Sequence, residues 1–262
     1  MKSTIILIHG MFQNAKSWEP WVKHFTEKGY NCIAESWPLH EGEPADLRAN
    51  TPAGLGELRL AVIIEKYRQL ATSQTEKPIL IGHSVGGLIT QILVNEGLAK
   101  LGVAISSVAP NAMITLDWGF TKNSALITNP LKGDDPFIMD LESFQGSFAN
   151  TMSIEAVKEP YERTATNDSR NVLRDCLGED GKVDLELPHV PLLFIAGEED
   201  EIIPYELCEK NAKAYDDELS STEFRKFAGK SHFICCEPGY ETVIETVYNW
   251  IQQKEDMPPY EV

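Results

Sequence analysis

The apolar residues of this chain fall into short unbroken runs separated by longer stretches of helical spacing. Ile5-Ile6-Leu7-Ile8, Ile79-Leu80-Ile81, Val103-Ala104-Ile105 and Leu192-Leu193-Phe194-Ile195-Ala196 are such runs. Continuous apolar runs bounded by turn residues mark strands that are covered on both faces. With their flanks they predict strands over 4–8, 79–81, 102–108 and 190–197, and weaker patterns predict strands over 31–35 and 222–227. Helical spacing predicts helices over 18–28, with polar caps at Asn14 to Ser17 and a stop at Gly29, over about 53–71, and over 88–94. Two more follow, over 205–215 and over 240–253, the last with Val243, Val247, Trp250 and Ile251 turned inward. The stretch 37–44 reads as a turn-rich loop. Strands alternating with helices imply an α/β fold, a mainly parallel sheet with helices on both faces.

The alternation breaks once. From 110 to 188 no strand pattern stands out, and large side chains gather instead: Trp118, Phe120, Phe137, Met139, Phe144, Phe148, Met152 and Tyr161. This segment reads as a helical cap inserted into a core made of 1–109 and 189–262. An insertion that leaves the C-terminal side of a parallel sheet covers whatever site the sheet builds.

Composition narrows the function. The net charge of −17 disfavours nucleic acid and anionic membrane as partners. No apolar run approaches the length of a membrane span, and the four apolar residues near the start are too short for a signal-peptide core. The five cysteines (Cys32, Cys176, Cys208, Cys235, Cys236) are an odd set without metal-ligand spacing. Reduced thiols in a cytoplasmic protein are the expectation, with no metal and no cofactor.

The chemistry concentrates at strand ends. Gly82-His83-Ser84-Val85-Gly86 fits Gly-x-Ser-x-Gly, with a strand before it and a helix after it. A serine on so tight a strand-to-helix turn has its hydroxyl lifted above the sheet edge, beside a helix N-terminus. Two later strands end in an acidic cluster, Glu198-Glu199-Asp200, and in the loop that carries His232. Loops after parallel strands share one edge, so a serine, a carboxylate and an imidazole meet there in the chain order Ser, acid, His. Proximity alone leaves the acid open among Glu198, Glu199 and Asp200. Of the other histidines, His83 is expected to pack within the turn and His9 to hydrogen-bond locally. His40 and His189, beside prolines, are expected in surface or loop positions. Trp18 and Trp21 fit a helix face packed on the sheet.

Four pieces, His9-Gly10-Met11-Phe12, Gly82-His83-Ser84-Val85-Gly86-Gly87, Phe194-Ile195-Ala196-Gly197-Glu198-Glu199-Asp200 with Ile203-Pro204, and Gly229-Lys230-Ser231-His232-Phe233, resemble the α/β-hydrolase superfamily, specifically its small capped, esterase-like serine hydrolases. The resemblance covers the chain outside 110–188. The chain opens directly on the strand leading to His9-Gly10, without the family's usual antiparallel hairpin, so about six strands are expected. The resemblance implies Ser84 as nucleophile, His232 as general base and then acid, and Asp200 as its carboxylate partner. It also implies an oxyanion hole from the backbone N–H groups of Met11 and Val85. Phe12, Trp118 and Phe144 are candidate substrate-binding residues. The implied substrate is a small to medium, largely apolar carboxylic ester or a lactone.

Other reactions run on the same scaffold: C–C bond hydrolysis, cofactor-free lyase chemistry and perhydrolysis. Serine rather than aspartate at 84 argues against haloalkane dehalogenase and epoxide hydrolase chemistry. A lyase of the hydroxynitrile type needs a cation near the serine, for which Lys122 and Lys132 are weak candidates. A ligand receptor with vestigial turnover is the reading from another class.

Overall fold

A computed structural model describes residues 2–113, 125, 127–217 and 219–255. Six strands form one parallel sheet: β1 (Thr4–Ile8), β2 (Asn31–Ala34), β3 (Ile79–His83), β4 (Leu101–Ile105), β5 (Leu192–Gly197) and β6 (Thr222–Phe227), in the order β2-β1-β3-β4-β5-β6. Every residue of β3, β4 and β5 is buried, which is why these strands are unbroken apolar runs. The edge strands β2 and β6 are only half-buried, and their patterns are correspondingly mixed.

The helices are α1 (Glu19–Glu27), α2 (Pro44–Ala49), α3 (Leu60–Thr72), α4 (Val85–Asn95), α5 (Ile154–Thr164), α6 (Arg170–Cys176), α7 (Tyr205–Lys213) and α8 (Tyr240–Glu255), with short 3-10 turns between them. Two differ from expectation. The loop expected over 37–44 leads into α2, whose first residue is Pro44; proline lacks the N–H that a first helical residue would leave unpaired anyway. The helix expected over 53–71 is split, a 3-10 turn at Leu55–Glu57 preceding α3. Trp18 and Trp21 pack edge to face at 5.2 Å in the core, and the Trp21 Nε1–H donates to the Cys235 carbonyl at 2.9 Å.

Between β4 and β5 the described residues form helical turns and no strand of the sheet. A stretch from Leu141 runs into a π-helical turn at Phe144–Phe148, followed by α5 and α6. One antiparallel bridge, Phe137 to Asp168, ties the two ends of this segment together.

The strand order fixes where a site can be. From β1 the chain steps outward to β2, then crosses back to place β3 on the other side of β1. The loops after β1 and β3 therefore diverge, and the crevice between them is the place where parallel sheets bind ligands. Ile8 pairs with Gly82 there, so His9-Gly10-Met11-Phe12 and the Ser84 turn emerge side by side.

Candidate active site

Ser84 stands between β3 and α4 with φ 56° and ψ −120°, a strained conformation for a residue with a side chain. The surroundings over-determine it. Its N–H donates to the Ile105 carbonyl at 2.9 Å, and its own carbonyl accepts from Gly87 at 2.9 Å and Val108 at 3.1 Å. Gly86 is needed for close approach: a Cβ there would lie 2.1 Å from the Ile8 carbonyl oxygen. Gly10 is needed for the same reason, since its Cβ would lie 2.7 Å from the Cβ of Ser84. The loop after β1 thus rests directly on the serine turn.

The other two elements arrive from β5 and β6. Asp200 and His232 are both buried, and the His232 Nδ1–H donates to Asp200 Oδ2 at 2.8 Å. Asp200 Oδ1 accepts from the Ile202 and Ile203 N–H groups at 2.9 and 2.8 Å. These bonds single out Asp200 from its neighbours: Glu199 is exposed, and half-buried Glu198 pairs with Lys226. With Nδ1 as donor, His232 Nε2 carries a lone pair, and this buried nitrogen has no hydrogen-bond partner among the described residues.

Ser84 and His232 face one cavity of about 40 Å³, together with Met11, Phe12, Val85, Val108, Ile127, Phe148, Leu173, Ile202 and Ile203. They do not hydrogen-bond to each other. A larger open groove of about 700 Å³ lies beside α1 and β2, but none of these residues lines it. Among the described residues no group of histidine, cysteine and carboxylate side chains is arranged to hold a metal ion.

Two backbone donors border the cavity. The Val85 N–H is the first of α4 and has no acceptor within the helix. The Met11 N–H has no recorded acceptor among the described residues, whereas the next amide, Phe12, donates to Asp168 Oδ2 at 2.8 Å. The loop after β1 therefore offers Met11 rather than Phe12.

The remaining candidates sort by position. Phe12 lines the cavity. Phe144 stands one layer back, stacked on Phe148 at 5.1 Å and packed against Phe233, while Phe148 covers the His232 ring at 4.7 Å. Trp118 lies outside the described residues, as does Lys122; Lys132 is exposed and lines no part of the cavity.

The histidines expected to be quiet form the scaffold. Burial and the neighbouring His232 push the His83 pKa well down. The neutral ring donates from Nε2 to the His232 carbonyl at 2.8 Å, so it holds the loop that carries His232. His9 accepts the Trp37 N–H on Nε2 at 2.9 Å, stacks on that indole at 4.6 Å, and is likewise kept neutral by burial and by His40. His40 and His189 do sit in loops, but neither is on the surface: both are buried. Cys235 and Cys236 are buried too, and desolvation raises both thiol pKa values, that of Cys236 to about 12. Sequence reasoning missed Phe148 as the cavity wall and Asp168 altogether.

Comparison with known proteins agrees with this architecture. The model of the alpha/beta hydrolase family matches residues 5–235. The chain belongs to the α/β-hydrolase family. Among solved structures, this family member resembles the Paleococcus ferrophilus monoacylglycerol lipase, with 18% identity over 96% of this chain and 94% of that one and a TM-score of 0.69. It resembles polyneuridine aldehyde esterase at 16% identity over 96% and 100%, TM-score 0.69. Tomato methylketone synthase I in complex with 2-tridecanone matches at 16% over 97% and 99%, TM-score 0.72. At such identities these likenesses establish the fold of the hydrolase. No curated protein matches the sequence. Among the described residues no helix is long and apolar enough to cross a membrane.

Proposed function

We propose that the protein is a serine hydrolase that cleaves small, largely apolar carboxylic esters or lactones through an acyl-enzyme on Ser84. The observation that carries this reading is the lone pair on His232 Nε2, unpartnered in the cavity that Ser84 also faces, with the opposite ring nitrogen bonded to Asp200. In this reading Ser84 Oγ attacks the acyl carbon and its proton passes to His232 Nε2. Asp200 stabilises the imidazolium, and the N–H groups of Met11 and Val85 receive the developing oxyanion. His232 then returns the proton to the leaving alkoxide, and a water activated at Nε2 releases the acid. The Ser84–His232 hydrogen bond forms in the substrate complex, as catalytic contacts commonly do.

The segment 110–188 acts as a cap. Phe148, Ile127 and Leu173 from it close the cavity with apolar walls. At about 40 Å³ the space holds about three water-sized groups, which suits a short acyl chain. Among the described residues only apolar side chains, Ser84 and His232 line it, which suits an uncharged acyl group. The structural neighbours include a lipase and an esterase, which supports ester hydrolysis. The cysteines are free thiols, in keeping with a reducing, cytoplasmic setting.

The test is labelling by a fluorophosphonate probe beside turnover of p-nitrophenyl esters of increasing acyl length, wild type against Ser84→Ala. Labelling and turnover are expected to need Ser84, with turnover highest at two to four carbons, roughly the acyl length such a space admits. A folded Ser84→Ala protein that keeps its esterase activity would sink the reading.

A further inference from the structure

The loop that carries Met11 is held from the segment between β4 and β5. Phe12 has φ 63°, a conformation costly for a bulky aromatic residue. Both of its backbone groups are bound by one short run of the cap: the N–H donates to Asp168 Oδ2 at 2.8 Å, and the carbonyl accepts from the Thr166 N–H at 2.9 Å. Asp168 is itself immobile. Its backbone forms both bonds of the bridge to Phe137, 2.8 and 3.1 Å, and its Oδ1 accepts from the Ser169 N–H at 2.7 Å. No solvent reaches its carboxylate.

A buried carboxylate needs a counter-charge. His40 Nε2 lies 3.3 Å from Asp168 Oδ2, an ion-pair contact rather than an aligned hydrogen bond, and the His40 ring is 1% exposed. Burial works against a proton on His40, but the Asp168 charge and the Pro38 carbonyl outweigh it and raise its pKa. The His40 carbonyl is tied in turn to Asn14 Nδ2 at 2.9 Å, two residues beyond Phe12. The oxyanion loop is thus bracketed by an ion pair, one half from the loop after β2 and the other from the cap.

We propose that Asp168 is a positioning residue for the oxyanion hole: with His40 as counter-ion, its carboxylate clamps the Phe12 amide so that the adjacent Met11 N–H is left for the reacting carbonyl oxygen. This rests on the serine-hydrolase reading above. An ordinary buried anchor would affect stability alone. A positioning residue affects the chemical step, because a donor shifted from the oxyanion stabilises the transition state less while leaving ground-state binding nearly intact.

The experiment compares Asp168→Ala, Asp168→Asn and Arg59→Ala with the wild type. Arg59 ties the cap to the start of α3 through the Asp175 carboxylate, with no side-chain bond to Phe12, Thr166 or Asp168, and controls for general loosening of the cap. Loss of one oxyanion donor typically costs 10²–10³ in kcat, so Asp168→Ala is expected to lower kcat by about 100-fold with KM within about threefold. Asp168→Asn keeps an acceptor for Phe12 and is expected to recover kcat to within about tenfold of wild type, while Arg59→Ala leaves kcat unchanged. Amide hydrogen exchange at Phe12, read in the free protein, is expected to speed up at least about 100-fold in Asp168→Ala and little in Asp168→Asn.

Unchanged exchange at Phe12 in Asp168→Ala would show that the clamp is not there. Faster exchange with an unaltered kcat, an equal kcat loss in Arg59→Ala, or a failure of asparagine to rescue would each overturn the positioning role. Should Asp168→Ala fail to fold, Asp168→Glu carries the same two measurements, because its longer side chain displaces the carboxylate from the Phe12 amide, and wild-type kcat and exchange in it would overturn the clamp. If the wild type shows no Ser84-dependent turnover, the hydrolase reading fails first and takes the catalytic half of this proposal with it. The exchange result then still decides the anchoring half.

Discussion

Two buried carboxylate–imidazole pairs lie at the same sheet edge, Asp200 with His232 and Asp168 with His40. Their ingredients are alike. In each, one carboxylate oxygen accepts from nearby backbone N–H groups and the other faces a histidine ring within 2.8 to 3.3 Å. The difference is what the second ring nitrogen does. His40 donates Nδ1 to the Pro38 carbonyl at 3.1 Å and turns Nε2 to the carboxylate at 3.3 Å, so neither ring nitrogen faces the cavity. His232 turns Nδ1 to the carboxylate and leaves Nε2 bare in the cavity beside Ser84. Proximity of an acid to a histidine therefore does not make a base. On the reading proposed above, the same pair is a proton acceptor in one place and a structural pair in the other, according to whether a ring nitrogen faces the cavity beside Ser84.

Exchanging each carboxylate for its amide breaks the comparison most sharply. Asp200→Asn favours the wrong His232 tautomer, and kcat for an activated ester is expected to fall by about 10⁴. The same change at Asp168 is expected to cost no more than about tenfold. Equal losses in steady-state assays would mean that the two pairs are not functionally distinct. Next in size is His40→Gln, which leaves Asp168 buried without its counter-charge. It is expected to destabilise folding by about 3 kcal/mol, read from urea midpoints, while kcat changes less than in Asp168→Ala.

The smallest effect is a pH slope. His9 and His83 have pKa values lowered in the folded protein, so below about 6.5 the unfolded chain binds protons that the folded chain refuses. Stability then falls as pH drops through that region, by up to about 1.4 kcal/mol per pH unit for each group. His40 has the opposite sign. Its folded pKa is raised, so its contribution is complete below about 6.5 and is lost as pH rises through the folded value. Urea titrations from pH 5 to 8.5 should show His83→Gln flattening the acid limb and His40→Gln flattening the alkaline one.

What the sequence revealed follows the range of each interaction. The Ser84 turn is legible because its requirements are local: a strand, small residues two positions either side, a helix. Strand β6, Thr222–Phe227, begins and ends where its pattern does. Asp200 could be separated from Glu198 and Glu199 by resemblance, but the physical distinction is a burial that no local pattern reports. Asp168 had no signal at all. It sits in a polar stretch, Thr166-Asn167-Asp168-Ser169, inside the segment read as a helical cap, and its partner Phe12 is 156 residues away. Phe144 and Phe148 share one π-helical turn, and the sequence cannot say which of them faces the cavity, because that depends on how the turn is wound.

The bond between Phe12 and Asp168 also orders events during folding. Strand β1 and the serine turn are complete within the first third of the chain, yet the loop beside them acquires its clamp only after the cap has been made and docked. Closing so long a chain segment is slow compared with forming the local turns. On the reading proposed above, a nascent chain that already displays Ser84 would lack a finished oxyanion hole. Reactivity would then wait until Asp168 has locked the first loop and His232, later still in the chain, has joined the site.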